Sequence, residues 1–132
     1  MYNLRKEEMM KNFDVYYSND KNFRDFIVGG GLLDLDDLEK THTKVYNSND
    51  ESFFEIYNAY YYESDKGLCE DIYHFFNDNP KNPLGKKVFQ DKMKNNEINV
   101  RHTSMSVGDV IKINDKFYIC KSIGWDLIER KK

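Results

Sequence analysis

Between residues 102 and 109 the chain reads His-Thr-Ser-Met-Ser-Val-Gly-Asp, which places one imidazole, three hydroxyls and one carboxylate within eight positions. These are the ingredients of nucleophilic acyl transfer, with Ser104 or Ser106 as nucleophile, His102 as base and Asp109 to orient the base. A working triad holds its members within about 3 Å of one another and draws them from separate elements of a fold. Read as one extended segment, the run sets His102, Ser104 and Ser106 on a common face but about 6 to 7 Å apart, because an extended chain rises about 3.3 Å per residue. That spacing is too long for direct proton transfer, and no G-x-S-x-G elbow accompanies it. Ordinary structural roles fit better. Thr103, Ser104 and Ser106 are suited to bonding backbone groups at the entry to a strand. Gly108-Asp109 suits a bulge or turn, with Met105 and Val107 as the apolar alternates. No catalytic residue is assigned, and a non-enzyme is expected.

Metal chemistry has little more to build on. Cys69 and His74 lie five residues apart on a predicted helix, about 140° around its axis, which is poor geometry for one ion. A site would have to be assembled in space from Cys69, His74, His102 and Cys120, or with His42. Two free, buried thiols are the expected state, with no metal and no cofactor. Phosphate-loop, dinucleotide and EF-hand patterns are all missing.

Charge is more informative. Residues 1–80 carry 8 Lys/Arg against 17 Asp/Glu, whereas residues 81–132 carry 12 against 6, within a net charge of -3. Acidic residues crowd together at Asp34, Asp36, Asp37 and Glu39 in "LLDLDDLE", with Asp50 and Glu51 beyond. A solvated loop or helix start explains such a cluster, and so does a patch that meets a basic partner. On the basic side, Lys86, Lys87, Lys92, Lys94 and Arg101 suit phosphate contacts.

These residues need elements to position them. The chain has 132 residues, 39% hydrophobic and 15% aromatic, with ten Tyr and nine Phe, enough for the core of one domain. No apolar run approaches the roughly 18 residues of a membrane span, and the N-terminus has no apolar signal core, so a soluble cytoplasmic protein is expected. Alternation predicts a strand around Phe13–Tyr17 and another in "LEKTHTKVYNS" around Val45. Helical spacing predicts a short helix through Phe23, Phe26 and Ile27, stopped by the glycines at 29–31. A second helix should carry Phe53, Ile56, Tyr57 and Tyr60 on one stripe, capped by Ser48 or Asp50. A third should bury Leu68, Ile72, Phe75 and Phe76, and a fourth Val88, Phe89 and Met93. From Val100 onward the period changes, with "VGDVIKI" and "KFYICKS" as two strands around the turn Asn114-Asp115, and "WDLIE" suggests a final strand. The expected fold is α+β, a small antiparallel sheet with a C-terminal β-hairpin packed against three or four helices, spanning residues 1–132.

The run "RHTSMSVGDVI", the hairpin after it and the ending "YICKSIGW" resemble the YodL-like small proteins and domains of phages and conjugative elements. In that group a hydroxyl-rich S-V-G-D or S-V-S-D segment precedes two strands and an aromatic-flanked S-x-G-[FW] ending. Upstream, "LEKTHTKV", "ESFFEIYNAYYYE" and "NPLGKKVF" resemble its opening strand, first helix and last turn. The resemblance covers residues 38–128 and leaves residues 1–37 as an N-terminal extension. It implies a mobile-element accessory protein of the bacterial host cytoplasm, of anti-CRISPR type, binding a type II RNA-guided nuclease and blocking DNA loading or cleavage. Such nucleases hold nucleic acid in basic channels, so Asp34, Asp36, Asp37, Glu39, Asp50 and Glu51 are the expected partner-binding residues. The alternative is a nucleic-acid-binding or replication accessory module using the lysine cluster.

Overall fold

The sequence FDVYYS, Phe13–Ser18, alternates so that Phe13, Val15 and Tyr17 are buried on one side while Asp14 and Tyr16 point to the other. This strand, β1, is an interior strand of a five-stranded antiparallel sheet in a computed structural model that describes residues 12–20, 22–57, 62–78, 81–100 and 102–129. The order across the sheet is β2-β1-β3-β4-β5, with β2 at His42–Asn47, β3 at Val110–Ile113, β4 at Lys116–Cys120 and β5 at Trp125–Ile128. Residues 1–37 therefore supply the strand that joins β2 to β3. The architecture is α+β, with the C-terminal hairpin β3–β4 turning at Asn114, whose φ of 53° suits the left-handed region that Asn tolerates.

One face of the sheet carries the larger core. Phe13, Val15 and Tyr17 of β1, Ile111 and Ile113 of β3, and Trp125 of β5 pack there against helices α3 (Ser52–Tyr57), α4 (Asp65–Asn77) and α5 (Lys87–Lys94). The aromatic surplus is spent here: Phe13, Phe53, Phe75 and Phe76 meet edge to face at 5.2–5.4 Å through Phe53 and Phe75. Helix α4 starts where Ser64 accepts a bond from the Gly67 amide, and it buries Leu68, Ile72, Phe75 and Phe76 as their spacing predicts. Two side-chain bonds pin this layer, Tyr118 to Asp65 at 2.6 Å and Tyr62 to Asp71 at 2.7 Å.

The opposite face carries the smaller core. Helix α1 (Asn22–Val28), a 3-10 turn (Leu35–Asp37) and the single turn α2 (Leu38–Thr41) bring Ile27 and Leu38 onto Val110 and Ile119. The residues "LEKT", expected to begin a strand, form α2 instead, and the strand starts at His42. Two further expectations are corrected. Ile56 is 40% exposed and the buried partner of Phe53 in α3 is Phe54, because the helix lies with its 53/54 edge on β1. Val88 is 71% exposed, and α5 leans on the core through Phe89 and Met93 alone. Tyr60 lies outside the described residues.

Truncation should separate these classes. Ile72→Ala is expected to cost about 2 to 5 kcal/mol in urea unfolding, whereas Val88→Ala should change stability by less than about 0.5 kcal/mol. Equal costs would mean that α5 is misplaced.

Candidate functional site

Two places on the molecule gather chemistry-bearing residues: the His102–Asp109 loop, and a groove beside β5. The loop is not extended. It folds back so that His102 Nε2 lies 3.1 Å from Asp109 Oδ2 and 3.3 Å from Oδ1. The inference from a straight strand is thereby corrected, since residues seven apart meet through the turn at Gly108. Gly108 has φ +97°, and a Cβ there would stand 3.0 Å from the Phe23 ring, so the backbone conformation and the space both call for glycine. Met105 and Val107 do not share a face either, for Met105 enters the larger core and Val107 the smaller.

Asp109 is fully buried, and its carboxylate accepts from the Ser18 amide at 3.0 Å and the Ser106 amide at 2.8 Å besides His102. A buried charge with three donors is stable only as part of such a set. His102 is stacked on Tyr17 at 4.5 Å and 6°, and the Tyr17 hydroxyl donates to the Thr103 carbonyl at 2.8 Å. Burial, then the nearby Asp109 charge, pushes the Tyr17 phenol well up from its ordinary value.

His42 closes the cluster. Its Nε2 lies 2.7 Å from the Gly108 carbonyl, which can only accept, so Nε2 carries the proton and Nδ1 accepts from the Thr41 hydroxyl at 2.8 Å. Burial holds its pKa below the ordinary 6.5, against the opposing pull of the Gly108 carbonyl and Asp109. The thiol of Cys120 is pushed up to about 12, mainly by burial, and stays protonated near neutral pH. Ser104 is exposed and Ser106 bonds through its backbone, so the loop holds an oriented imidazole but no hydroxyl bonded to it among the described contacts. Both cysteines are buried, and His74 is exposed. Among the described residues no three His, Cys, Asp or Glu side chains are placed to hold a metal ion.

The groove, of about 260 Å³, lies where α1 and the chain after it pass over β4 and β5. Ile119 and Ile128 line it from the sheet, and Ile27, Leu32 and Leu33 from the opposite wall. The wall is set by how α1 ends. Gly30 and Gly31 donate to the carbonyls of Ile27 and Phe26, a Schellman closure with Gly30 at φ +98°. The Phe26 ring occupies the space that a Cβ on Gly31 would need. Leu32 is left 79% exposed beside the groove, while Leu127 shares the Trp125 face of β5 by alternation. Among the described residues, Asp34, Asp126 and Glu129 stand around this apolar strip with one cation, Lys121, whose Nζ is 4.0 Å from Asp126.

The acidic residues expected to bind a partner divide between two places. Asp34 lines the groove and caps the 3-10 turn by accepting from the Asp36 amide at 3.0 Å, and Asp36, Asp37 and Glu39 follow it on the exposed side. Asp37 also faces Lys40 at 3.6 Å. Asp50 and Glu51 are exposed at the far end of β2, about 17 Å along the strand from His42, where Asp50 accepts from the Ser52 amide. Of the basic cluster, Lys86, Lys87, Lys92 and Lys94 are exposed at α5, with Lys87 paired to Asp91 at 2.8 Å; Arg101 lies outside the described residues. Sequence reasoning missed Leu32, Leu127 and the carboxylates of β5, although an exposed leucine after three glycines was a usable signal.

Asp109→Ala should cost about 3 kcal/mol or more, because it leaves two buried amides without an acceptor. His42 adds a pH dependence. Its folded pKa is lowered, so on acidification the unfolded chain takes up that proton first, and stability falls as pH drops through 6.5 toward the folded value. Urea midpoints at about pH 7.5 and about pH 5.5 should therefore differ less in His42→Gln than in the parent chain; an unchanged difference would place His42 in an ordinary environment.

No protein-family model matches the chain, and no solved structure matches it. Among the described residues no helix is long and apolar enough to cross a membrane. The chain is 32% identical to the uncharacterized protein R785 of Acanthamoeba polyphaga mimivirus over 123 residues, which span 90% of this chain and 94% of the viral one. It belongs to the same family as that viral protein.

Proposed function

We propose that this protein is an accessory factor of viral type that works by occupying a basic surface on a nucleic-acid-handling protein, without catalysis. The observation that carries the reading is the continuity of the acidic stretch Asp34–Glu39 with an apolar groove beside the exposed Leu32. Apolar contact supplies affinity where water is excluded, and the surrounding charge supplies the rate of encounter and the choice of partner. The saturated bonding of Asp109 and His42 supports a structural role for the other polar cluster. The narrower form of the proposal, an anti-CRISPR-type inhibitor that blocks DNA loading or cleavage by a type II RNA-guided nuclease, draws support from the YodL-like resemblance of residues 101–128. Kinship with a protein of an amoeba virus supports the coarser form.

A second reading, direct nucleic-acid binding, draws on the exposure of Lys86, Lys87, Lys92 and Lys94 along one short helix. It requires salt-sensitive binding by the isolated protein.

The immobilised chain should retain basic nucleic-acid-handling proteins from lysate of a cell that supports its virus. Combined Asp34→Lys, Asp36→Lys and Asp37→Lys should reduce that retention by roughly tenfold, while Asp50→Lys with Glu51→Lys should leave it unchanged. Equal retention by the first variant sinks the acidic-surface reading. A purified type II nuclease with its guide RNA tests the narrower form, and no retention of it leaves only the coarser one. A gel shift of labelled DNA or RNA at low salt by the isolated protein would support the second reading instead.

A further inference from the structure

Resting on the reading of the groove as a partner surface, we propose that its occupant is an extended, lysine- or arginine-rich segment of the partner protein that adds to β5 as a sixth strand. Among the described residues β5 has a neighbour on one side only, β4, in register from Cys120↔Trp125 to Phe117↔Ile128. An edge strand of this kind presents an outer row of amide and carbonyl groups to which an extended chain can bond. The groove runs beside this edge. A strand added there would alternate its side chains, one set standing beside Ile128 on the groove's side of the sheet and the other on the opposite face.

Charge selects among the candidates for that position. Among the described residues, Asp34, Asp126 and Glu129 outnumber Lys121 around the groove, and Lys121 is itself near Asp126. Lysine or arginine in the incoming segment would meet these carboxylates, whereas glutamate or aspartate would be repelled. A second copy of this chain pairing through β5 would bring Asp126 and Glu129 of both copies into one short ladder, where like charges destabilise the pairing. The occupant favoured by these facts is therefore a basic segment of a different protein, with apolar residues at alternate positions. Its side-chain pattern supplies specificity and its backbone supplies much of the affinity.

The test uses the full chain and a fluorescein-labelled octapeptide in which Lys alternates with Ile or Val. Two backbone N-methylated versions accompany it, one blocked at the odd positions and one at the even, together with a version carrying Glu in place of Lys. Fluorescence anisotropy should show binding of the Lys peptide, roughly tenfold or more weaker binding of the Glu peptide, and a similar loss for one N-methylated version but not for the other. Asp34→Lys with Asp126→Lys should reverse the preference between Lys and Glu peptides, and the bound peptide should slow hydrogen exchange of the amides at 125–129. Equal binding of both N-methylated versions would show attraction by charge without strand pairing and would overturn the proposal. So would an absence of binding at about 1 mM peptide. Protection of β5 that rises with protein concentration alone, and strengthens in Asp126→Lys, would make a second copy the occupant and overturn it likewise. These outcomes are separable from those of the partner reading. Loss of lysate capture in the Asp34/Asp36/Asp37 variant with no effect of N-methylation keeps the acidic surface and removes the strand addition.

Discussion

A carboxylate with no solvent exposure holds the centre of this fold together. Asp109 sits at the entry to β3, and its two oxygens collect the amide at the end of β1, the amide of its own loop and the ring of His102. The transfer of such a charge out of water is so unfavourable that it persists only where donors surround it. That requirement acts as a constraint on the chain: Ser18, Ser106 and His102 must arrive together or the carboxylate is left uncompensated. Tyr17 beneath His102 and His42 on the Gly108 carbonyl extend the same constraint to β2. Three sheet strands and the loop into the hairpin thus share one electrostatic condition.

The same condition decides what the residues of this run, rich in catalytic types, are bonded to. A general base needs a lone pair aimed at a reacting proton, and a nucleophile needs that base within hydrogen-bond reach. Here the carboxylate is committed to backbone amides, His42 bonds at both nitrogens, and the Cys120 thiol is held protonated by its burial. Among the described residues no buried side-chain nitrogen or oxygen lacks a partner. A fully bonded polar cluster rigidifies a fold.

Periodicity made most of the elements legible. The spacing of Leu68, Ile72, Phe75 and Phe76 identifies α4, and Asn114-Asp115 between alternating segments identifies the hairpin, because both signals are local. The errors share a cause in tertiary context. "LEKT" is β-branched only at its end and turns helical because Leu38 is drawn onto Val110 and Ile119. Ile56 and Val88 follow helical spacing, but their helices present a different edge to the sheet. The contact of His102 with Asp109 was illegible for another reason: a glycine at positive φ reverses the segment, and no strand-spacing argument survives a reversal. Of the acidic residues, Asp34 lines the groove and Asp36, Asp37 and Glu39 follow it in the chain, whereas Asp50 and Glu51 are separated from them by the length of β2.

The groove and the buried carboxylate are mechanically linked through β4. The Gly108 amide bonds the Cys120 carbonyl and the Cys120 amide bonds the Asp109 carbonyl, so the turn that Asp109 stabilises also fixes where β4 ends. One residue further, the Lys121 amide bonds the Gly124 carbonyl and starts the chain into β5, whose Asp126, Ile128 and neighbouring Glu129 line the groove. Its other wall depends on the glycine closure of α1, a helix held to the sheet by Ile27. The groove is therefore built from exposed residues whose positions are set by buried ones. Such a surface can vary its charge without losing its shape, whereas the residues under it cannot change without moving the groove.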